Sequence, residues 1–487
     1  MVTSSAARAR RSPARRRTAG CAAAAAVFAL VAAALPAPHS EGVGDRLYPH
    51  LGNPGYDVQS YDIALDYGGH NTRPLQARTR IAARVTSAEL PRFNLDFAGG
   101  EVRSVRVNGQ PARHTRTGED LAVTPARPLH LGEPLDIDVE HTSVPTKKGG
   151  GWVRTADGLA VAGQPDGAHR VFPGNDHPSD KALFTFRVTA PSDLTVVAGG
   201  EQQGKRRSGG RTTWTYRQPH PMATELAQVS IGRSEVLRGR GPHGLPLRHV
   251  VPKGQAEKLR PALDRTGRQI AWMERQAGPY PFGNYGVLVA DATTGFALET
   301  QTLSLFEKRV FTTEGVPGWY RDSLMMHELA HQWFGDSVTP RTWGDLWLNE
   351  GHATWYEWLY GQHGGGPKAA ERAKEAYEQS DGWRKKYGPP AKLHGKKGGE
   401  QLALFSPIVY DGSGLVLYAL RQKIGPAAFE RLEHAWTAQY RDGNVSTADF
   451  IELAGTVSGQ DLSGFLKRWL YAEKTPRMPG HPDWRSL

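Results

Sequence analysis

Two histidines four positions apart, His327 and His331, lie in the most chemically distinctive stretch of the chain. On an α-helix this spacing projects both imidazole rings from one face, within reach of a single metal ion. Imidazole nitrogen suits zinc, and a catalytic zinc takes three protein ligands and leaves one coordination position open. Glu350, separated from His331 by 18 residues, is the candidate third ligand. Glu328 lies between the histidines and is placed to accept a proton from an attacking water.

The same His-Glu-x-x-His pattern also arises by chance, and two histidines on a helix are often a solvated or hydrogen-bonded pair. The Asn-Glu-Gly sequence around Glu350, framed by aromatic residues, favours a zinc hydrolase site instead. A metzincin site is excluded, because it requires a glycine and a third histidine where this chain has Phe334 and Ser337. The sequence therefore predicts one zinc ion per chain, bound by the two histidines and Glu350.

The elements that position these residues belong to a long chain. At 487 residues the chain is too long for one ordinary domain, and we expect two or three. A hydrophobic content of 39% and a charged content of 22% are typical of a globular protein with a substantial core.

The first 38 residues differ from the rest of the chain. Six arginines lie between positions 8 and 17, an apolar run covers residues 19–35, and the sequence Pro-Ala-Pro follows. This order is typical of a secretory signal peptide, with cleavage expected near Ala37. An uncleaved membrane anchor is the alternative, although the apolar run is short for a span. We therefore expect a secreted, extracellular protein without stable membrane insertion after cleavage.

The leader also contains Cys21, which is the only cysteine of the sequence. The mature chain is therefore expected to contain no disulfide and no reactive thiol. Because six arginines leave with the leader, the net charge falls from +11 to +5. The remaining Lys and Arg residues are scattered and form no known reading motif, so no nucleic-acid partner is predicted. The oligomeric state is not indicated by the sequence.

From about residue 45 to residue 238 the pattern is that of β-strands. Large apolar residues alternate with polar ones in residues 61–67 and 182–188, as in half-buried strands. Asn108-Gly109 is a hairpin-turn signal. Many short strands separated by turns predict an antiparallel sheet domain. Residues 164–178 are polar and rich in Gly and Pro, which predicts a long loop of the kind that often carries function.

Beyond about residue 241 the apolar residues repeat with a helical period. Leu259, Leu263 and Ile270 share one face, which predicts an amphipathic helix over residues 254–276. A strand is expected over residues 285–290, followed by the two metal-binding helices. A basic, Gly- and Pro-rich loop is expected around residues 379–401.

Helices are predicted to close the chain. One begins at Pro426, and a second is capped by Ser446 with Asp449 in the capping-box position. A final helix includes Leu462 and Trp469. No internal repeat is visible.

In combination these motifs resemble peptidase family M1, the gluzincin aminopeptidases that include aminopeptidase N and leukotriene A4 hydrolase. The resemblance covers nearly the whole mature chain, from residue 56 to residue 470, and the zinc ligands and Glu328 match the family pattern. It implies that Glu299, in the sequence Phe-Ala-Leu-Glu-Thr, binds the free α-ammonium group of the substrate. It also implies that Gln164 reaches into the same site and that Tyr410 donates a hydrogen bond to the oxyanion.

The resemblance further implies a short-form, multidomain α+β fold. An N-terminal antiparallel, saddle-like β-sheet domain is expected at residues 45–238, followed by a thermolysin-like, mainly α-helical catalytic domain at 239–475 and a tail at 476–487. The β-sandwich and helical solenoid of larger family members are not expected, so the cleft is expected to be more open.

Each of these positions also has a plainer interpretation. Without the family pattern, Glu299 fits a surface strand, Tyr410 fits a packed core tyrosine, and Gln164 carries no signal. Glu357 lies seven residues after Glu350 on the same helix face, where it either orients a metal ligand or is a solvated acid.

Two departures from the family motif adjoin Glu299. Phe296 replaces a glycine and Thr300 replaces an asparagine. The preferred N-terminal residue of the substrate is therefore not predicted.

The sequence thus predicts a secreted zinc metallo-aminopeptidase acting on peptides with a free N-terminus, with Glu328 as general base. Two alternatives stay open. One is a zinc endopeptidase with the same core, in which Glu299 is incidental. The other is a catalytically inactive homologue that binds peptides.

Overall fold

The computed structural model describes residues 42–146, 150–395 and 403–486. The predicted leader, its cleavage position and Cys21 lie outside the described residues. Among the residues described, no helix has both the length and the apolar character required to cross a bilayer.

Most of the strands precede residue 253, as the sequence pattern predicted. In chain order they are β1 (Tyr56–Asp66), β2 (Leu75–Val85), β3 (Glu89–Leu90), β4 (Phe93–Asp96), β5 (Val102–Val107), β6 (Gln110–Pro111), β7 (Arg113–Thr117), β8 (Asp120–Thr124), β9 (Leu129–His130), β10 (Pro134–Ser143), β11 (Gly151–Arg154), β12 (Leu159–Ala162), β13 (Ala182–Pro191), β14 (Thr195–Ala198), β15 (Glu201–Ser208), β16 (Arg211–Met222), β17 (Val229–Gly232), β18 (Ser234–Arg240), β19 (Pro246–Pro252), β20 (Val287–Ala290), β21 (Ser304–Glu307), β22 (Thr339–Pro340) and β23 (Asn444–Val445).

An eight-stranded sheet in the order β15-β16-β13-β1-β2-β10-β5-β6 forms the centre of the β region. Alternate residues of β1, including Tyr61, Ile63 and Leu65, are buried in the core below it. The turn between β5 and β6 is the predicted Asn-Gly hairpin, with φ of 48° at Asn108 and 77° at Gly109. The pairing is antiparallel except between β1 and β13, which run parallel.

Gln164 follows a strand of one four-stranded sheet, and Glu299 lies between two strands of another. The first has the order β11-β12-β17-β14 and the second the order β18-β19-β20-β21. Strand β18 crosses residue 238, so the second sheet joins strands from both sides of the predicted domain boundary. The boundary itself stays a prediction.

Residues 164–178 form a connection that is largely buried rather than solvated. A short 3-10 turn at Ala168–Arg170 interrupts it, and Gly174 pairs with Asp96 through an antiparallel bridge. His169 donates from Nδ1 to Oδ2 of Asp176 at 2.6 Å, and both side chains are buried. The polar residues of this segment therefore form hydrogen bonds with one another inside the protein.

Helices dominate after residue 255. They are α1 (Ala256–Leu263), α2 (Thr266–Ala277), α3 (Arg309–Thr312), α4 (Gly318–Ala330), α5 (Trp347–His363), α6 (Ala369–Tyr387), α7 (Asp411–Ile424), α8 (Pro426–Gln439), α9 (Thr447–Ser458) and α10 (Ser463–Tyr471). The predicted start at Pro426 and the capping box of Ser446 and Asp449 are confirmed.

The single helix predicted over residues 254–276 is wrong, because α1 and α2 are separate. Pro261 lies inside α1 and has no N–H to donate to the preceding turn. The chain then tightens at Arg265, whose N–H donates to the carbonyl oxygen of Ala262 at 3.3 Å. The apolar residues keep a helical spacing across this break, because both helices bury the face on which those residues lie.

The loop predicted around residues 379–401 is also partly wrong, because α6 extends to Tyr387. Arg384 is buried and donates hydrogen bonds to the carbonyl oxygens of Trp469 and Ala472 at the end of α10. A basic composition therefore marks a packing contact here, and residues 396–402 lie outside the described residues.

Candidate active site

The two predicted metal helices lie side by side, since α4 packs against α5. His327 is in the last turn of α4, and His331 is its C-terminal capping residue. Glu350 is in the first turn of α5. All three side chains are buried, and their candidate ligand atoms lie within 4.8 Å of one another.

The distances between these atoms fit a tetrahedral zinc site. Oε2 of Glu350 lies 3.2 Å from Nε2 of His327 and 3.4 Å from Nε2 of His331. Bonds of 2.0–2.1 Å to a tetrahedral zinc ion would separate neighbouring ligand atoms by about 3.4 Å. The three residues are therefore placed to hold a tetrahedral zinc ion through three of its four positions.

The outer nitrogens of both rings are already committed to protein acceptors. Nδ1 of His327 donates to Oε2 of Glu357 at 3.1 Å, and Nδ1 of His331 donates to the carbonyl oxygen of Phe334 at 3.2 Å. These bonds fix the orientation of each ring and direct Nε2 toward the metal position. Of the two interpretations left open for Glu357, the geometry supports the residue that orients a ligand.

Glu350 stays ionised beside the two histidines. Burial alone would raise the pKa of Glu350, but the neighbouring His331 and His327 outweigh it and lower the pKa to about 2. Burial lowers the pKa of both imidazoles, but the neighbouring carboxylates outweigh it and raise the pKa, so the rings rather than Glu350 carry protons when no metal is bound. A divalent cation would displace those protons, as expected of a metal site.

Glu328 lies on the cavity side of α4. Its side chain is buried, and its Oε2 has no hydrogen-bond partner among the described residues. One carboxylate oxygen of Glu328, one of Glu299 and a ring nitrogen of His331 lie within 4.8 Å of one another. The general-base candidate is thus next to both the metal ligands and the predicted amino-group site.

Glu299 is buried, which excludes its interpretation as a surface strand residue. Oε1 of Glu299 accepts a hydrogen bond from Nε2 of Gln164 at 2.7 Å and from Nδ2 of Asn349 at 3.2 Å. Gln164 belongs to the β region and is 135 positions away in the chain. The structure therefore brings together the two residues that the family resemblance implied.

Two residues that position Glu299 were missed by the sequence analysis. Gln332 donates from Nε2 to the carbonyl oxygen of Glu299 at 2.9 Å and accepts from the N–H of Thr302. Asn349 fits closely against Gly335, where φ is 129° and a Cβ would lie 2.2 Å from Oδ1 of Asn349. Gln332 directly follows the predicted ligand His331, and Asn349 directly precedes the predicted ligand Glu350. That adjacency is the only sign in the sequence that either residue belongs to the site.

Tyr410 lies at the start of α7, with its ring 6.0 Å from that of His327. The close approach of α5 and α7 depends on Gly351, because a Cβ there would lie 2.7 Å from Cβ of Ser413. Burial and the charge of Glu350 raise the pKa of Tyr410 well above its usual value. Its hydroxyl therefore stays protonated and can donate.

These side chains surround one cavity of 580 Å³. The residues lining it include Gln164, Phe296, Glu299, Tyr320, Arg321, Leu324, His327, Glu328, His331, Glu350, Glu357 and Tyr410. All the predicted site residues therefore face a common space. His352, two positions after Glu350, does not line the cavity, because its buried ring stacks on Phe334 with centroids 4.3 Å apart.

The two departures beside Glu299 have different consequences. Phe296 is 47% exposed and lines the cavity. Thr300 is fully buried, and its hydroxyl donates to the carbonyl oxygen of Leu303 at 2.5 Å. Only the substitution at Phe296 changes the surface that a substrate meets.

Comparison with known families agrees with this geometry. The family model described as "Peptidase family M1 domain" matches residues 261–469, and "Peptidase M1 N-terminal domain" matches residues 154–226. Together they match more than half of the chain. The chain belongs to peptidase family M1.

Two curated aminopeptidases are similar in sequence to a large part of this chain. Aminopeptidase M1-D of Oryza sativa subsp. japonica is 25% identical over 329 residues, covering 64% of this chain and 37% of the relative. Aminopeptidase N of Streptomyces lividans is 25% identical over 442 residues, covering 85% of this chain and 50% of the relative. The chain thus spans between about a third and a half of the length of these curated relatives.

A solved structure matches this chain over the whole length of that structure. It is a mutant M1 zinc metallopeptidase from Deinococcus radiodurans, bound to the substrate Tyr-Ser-Ala. It has a TM-score of 0.77 and 28% identity, and the match covers 91% of this chain and 100% of that one. The predicted fold class, a β-sheet region followed by a mainly helical M1 catalytic region, is therefore confirmed.

Proposed function

We propose that this protein is an exported zinc aminopeptidase that removes the N-terminal residue from peptides with a free amino group. The observation that carries the proposal is the position of Glu299. A buried carboxylate within 4.8 Å of both Glu328 and a zinc-ligand histidine supports capture of an ammonium group beside the reacting bond.

His327, His331 and Glu350 would hold the zinc ion. When bound, zinc supplies Lewis-acid activation of water and of the scissile carbonyl group. The remaining chemistry belongs to side chains of this protein.

Glu328 accepts the proton of the attacking water and returns it to the leaving amine. Glu328 lies between the two ligand histidines in the sequence, and its carboxylate faces the same cavity as their rings. One residue therefore serves both proton transfers. Tyr410 donates its hydroxyl proton in a hydrogen bond to the oxyanion that develops on the scissile carbonyl. A single well-placed donor of this kind contributes about 3 kcal/mol to transition-state stabilisation.

Glu299 pairs with the α-ammonium group, while Gln164 and Asn349 hold its carboxylate in place from either side. With the amino terminus fixed there, the first peptide bond lies over the metal ligands. An acetylated amino terminus cannot form this charge-assisted pair and leaves the buried carboxylate unpaired. This positioning supports cleavage of the first peptide bond and no other.

The proposal is tested with aminoacyl p-nitroanilides and matched peptides that carry free or acetylated amino termini, with and without a chelator. The wild type should hydrolyse only the free forms and only when metal is present. Glu299→Ala should reduce kcat/KM for the free forms by a few kcal/mol in transition-state terms while keeping its zinc. Equal cleavage of free and acetylated peptides by the wild type would instead indicate an endopeptidase. No turnover by zinc-loaded protein would indicate an inactive peptide-binding homologue.

Export is the second part of the proposal. It is supported by the basic start and the apolar run of residues 1–38. N-terminal sequencing of protein from the culture medium should give a mature chain that begins near Ala37. An intact leader on membrane-bound protein would show the anchor instead.

A further inference from the structure

The active-site cavity contains cationic groups that the proposed chemistry does not use. Arg309 and Arg321 line it together with Glu299 and Glu328. Cations in a cavity that captures an ammonium group call for a separate explanation, since they repel the amino end of a substrate. Only an arginine without a carboxylate partner in the protein is free to bind a ligand.

The two arginines differ in their partners. Nε of Arg309 forms an ion pair with the carboxylate of Glu307, which is itself held by the N–H groups of Thr294 and Gly295. Arg321 has no carboxylate within ion-pair distance among the residues described. Nη1 of Arg321 donates to the carbonyl oxygen of Phe311 at 3.4 Å, a long bond, and Nε has no partner there.

Arg321 is half-buried, but its Nε is fully buried without a partner among the residues described, whereas a buried polar group is normally hydrogen-bonded. Its planar donor group matches the two oxygens of a carboxylate in a bidentate pair. A neighbouring acid does not compete for it, because Asp322 is paired with Arg265 at 2.5 Å. The free guanidinium therefore suits a carboxylate supplied by the substrate.

The distance of Arg321 from the reacting bond follows from helix geometry. Arg321 and Glu328 are seven residues apart on α4, which places them on one helix face about 10.5 Å apart along the axis. Leu324 lies between them on that face and also lines the cavity. An extended peptide advances about 3.3 Å per residue, so this distance corresponds to about three residues.

We propose that Arg321 binds the C-terminal carboxylate of short peptide substrates, and that the enzyme favours free-acid peptides of about four residues. This inference rests on the proposed aminopeptidase function. With the amino group at Glu299 and the first peptide bond beside Glu328, three further residues bring the carboxylate to Arg321. The cavity thus recognises both charged ends of one peptide.

The test compares a tetrapeptide as free acid and as C-terminal amide, with a first residue chosen from the p-nitroanilide panel. The measured quantity is the ratio of kcat/KM for the acid to kcat/KM for the amide. In the wild type this ratio should be about tenfold, as expected for one charge-assisted hydrogen-bonded pair in a half-exposed site. In Arg321→Met it should fall to about one, and in Arg321→Lys it should lie between these values.

Arg309→Met is the matched control, because it removes a cation from the same cavity that is already paired. Its ratio should stay near that of the wild type. The wild-type ratio should also decline for octapeptides, whose carboxylate lies well beyond Arg321. A ratio near one in the wild type, or a tenfold ratio that persists in Arg321→Met, would overturn the inference.

A second comparison identifies the source of the carboxylate. An amidated tetrapeptide with glutamate at its third position places a side-chain carboxylate near the same depth. If this peptide is hydrolysed faster than the plain tetrapeptide amide while the free acid is not, Arg321 binds a side-chain carboxylate and its assignment to the chain terminus is wrong. Turnover of the p-nitroanilide in the same preparations separates the two hypotheses. Its absence refutes the aminopeptidase function, whereas its presence with a ratio of one refutes only the role of Arg321.

Discussion

Oε2 of Glu357 lies 3.1 Å from Nδ1 of His327, and Nε2 of the same ring lies 3.2 Å from Oε2 of Glu350. The imidazole is therefore held between two carboxylates, of which one belongs to the metal site and the other supports it. Both acids come from α5, two turns apart on the same face.

Glu357→Gln should weaken zinc binding by about 10- to 100-fold, because the amide is a poorer acceptor for the His327 N–H. Competition with a chromogenic chelator measures the dissociation constant. Glu375→Gln, at an exposed position on α6, is the control and should bind zinc as the wild type does. An unchanged zinc affinity in Glu357→Gln would mean that this acid is only a solvated neighbour.

Glu328→Gln should keep zinc and lose turnover, since the amide preserves the shape of the side chain but cannot accept a proton. General-base catalysis contributes about 10²- to 10⁴-fold, so kcat should fall by at least that lower amount. Metal analysis of the purified variant must accompany the kinetics. Near-normal kcat in a zinc-loaded preparation would contradict the assignment of Glu328.

Tyr410→Phe should lower kcat by about 10²-fold and change KM little, because the hydroxyl contacts an oxyanion that exists only in the transition state. Tyr418→Phe is a suitable control, since Tyr418 is on the same helix but bonds to His481 at 2.8 Å. If KM rises while kcat is preserved, Tyr410 binds the ground state of the substrate instead.

Stability should decrease in mild acid through His249. This side chain is buried, and its Nδ1 accepts a hydrogen bond from the N–H of Val287 at 3.1 Å. Burial lowers the pKa of His249 from 6.5 to about 4. Between these values the unfolded chain binds a proton that the folded chain does not, so the free energy of unfolding falls as the pH drops from 6.5 towards 4.

The measurement is urea unfolding of the wild type and His249→Gln at pH 7 and pH 5. The loss of unfolding free energy between these pH values should be about 2 kcal/mol smaller in the variant. Equal losses would show that His249 titrates in the folded protein as it does in the unfolded chain.

Local signals predicted much of this structure, and particular residues show why. Ser446 and Asp449 are three positions apart, so their capping box depends only on neighbouring residues. The same holds for the Asn108-Gly109 turn and for the histidines at helical spacing. By contrast, α6 extends through residues 379–387 because Arg384 reaches carbonyl groups nearly ninety positions away, and no local pattern reports that contact.

The site residues were likewise predictable from the sequence only where the signal is local. His327, His331 and Glu350 could be proposed from spacing alone, whereas Glu299 and Gln164 required resemblance to a family. Their hydrogen bond depends on packing between distant segments, which periodicity does not encode. Gln332 and Asn349 were missed for the same reason, since their partners lie 33 and 50 positions away.

The hydrogen bond from Gln164 to Glu299 also constrains how the chain can diversify. A recombinant that exchanged the β region for that of a relative would inherit a complete set of zinc ligands, all of which lie after residue 326. It would select amino termini correctly only if the incoming segment presented an amide donor at the position of Gln164. On the proposed function, specificity for the end of a peptide is therefore a joint property of two segments, and neither segment transmits it alone.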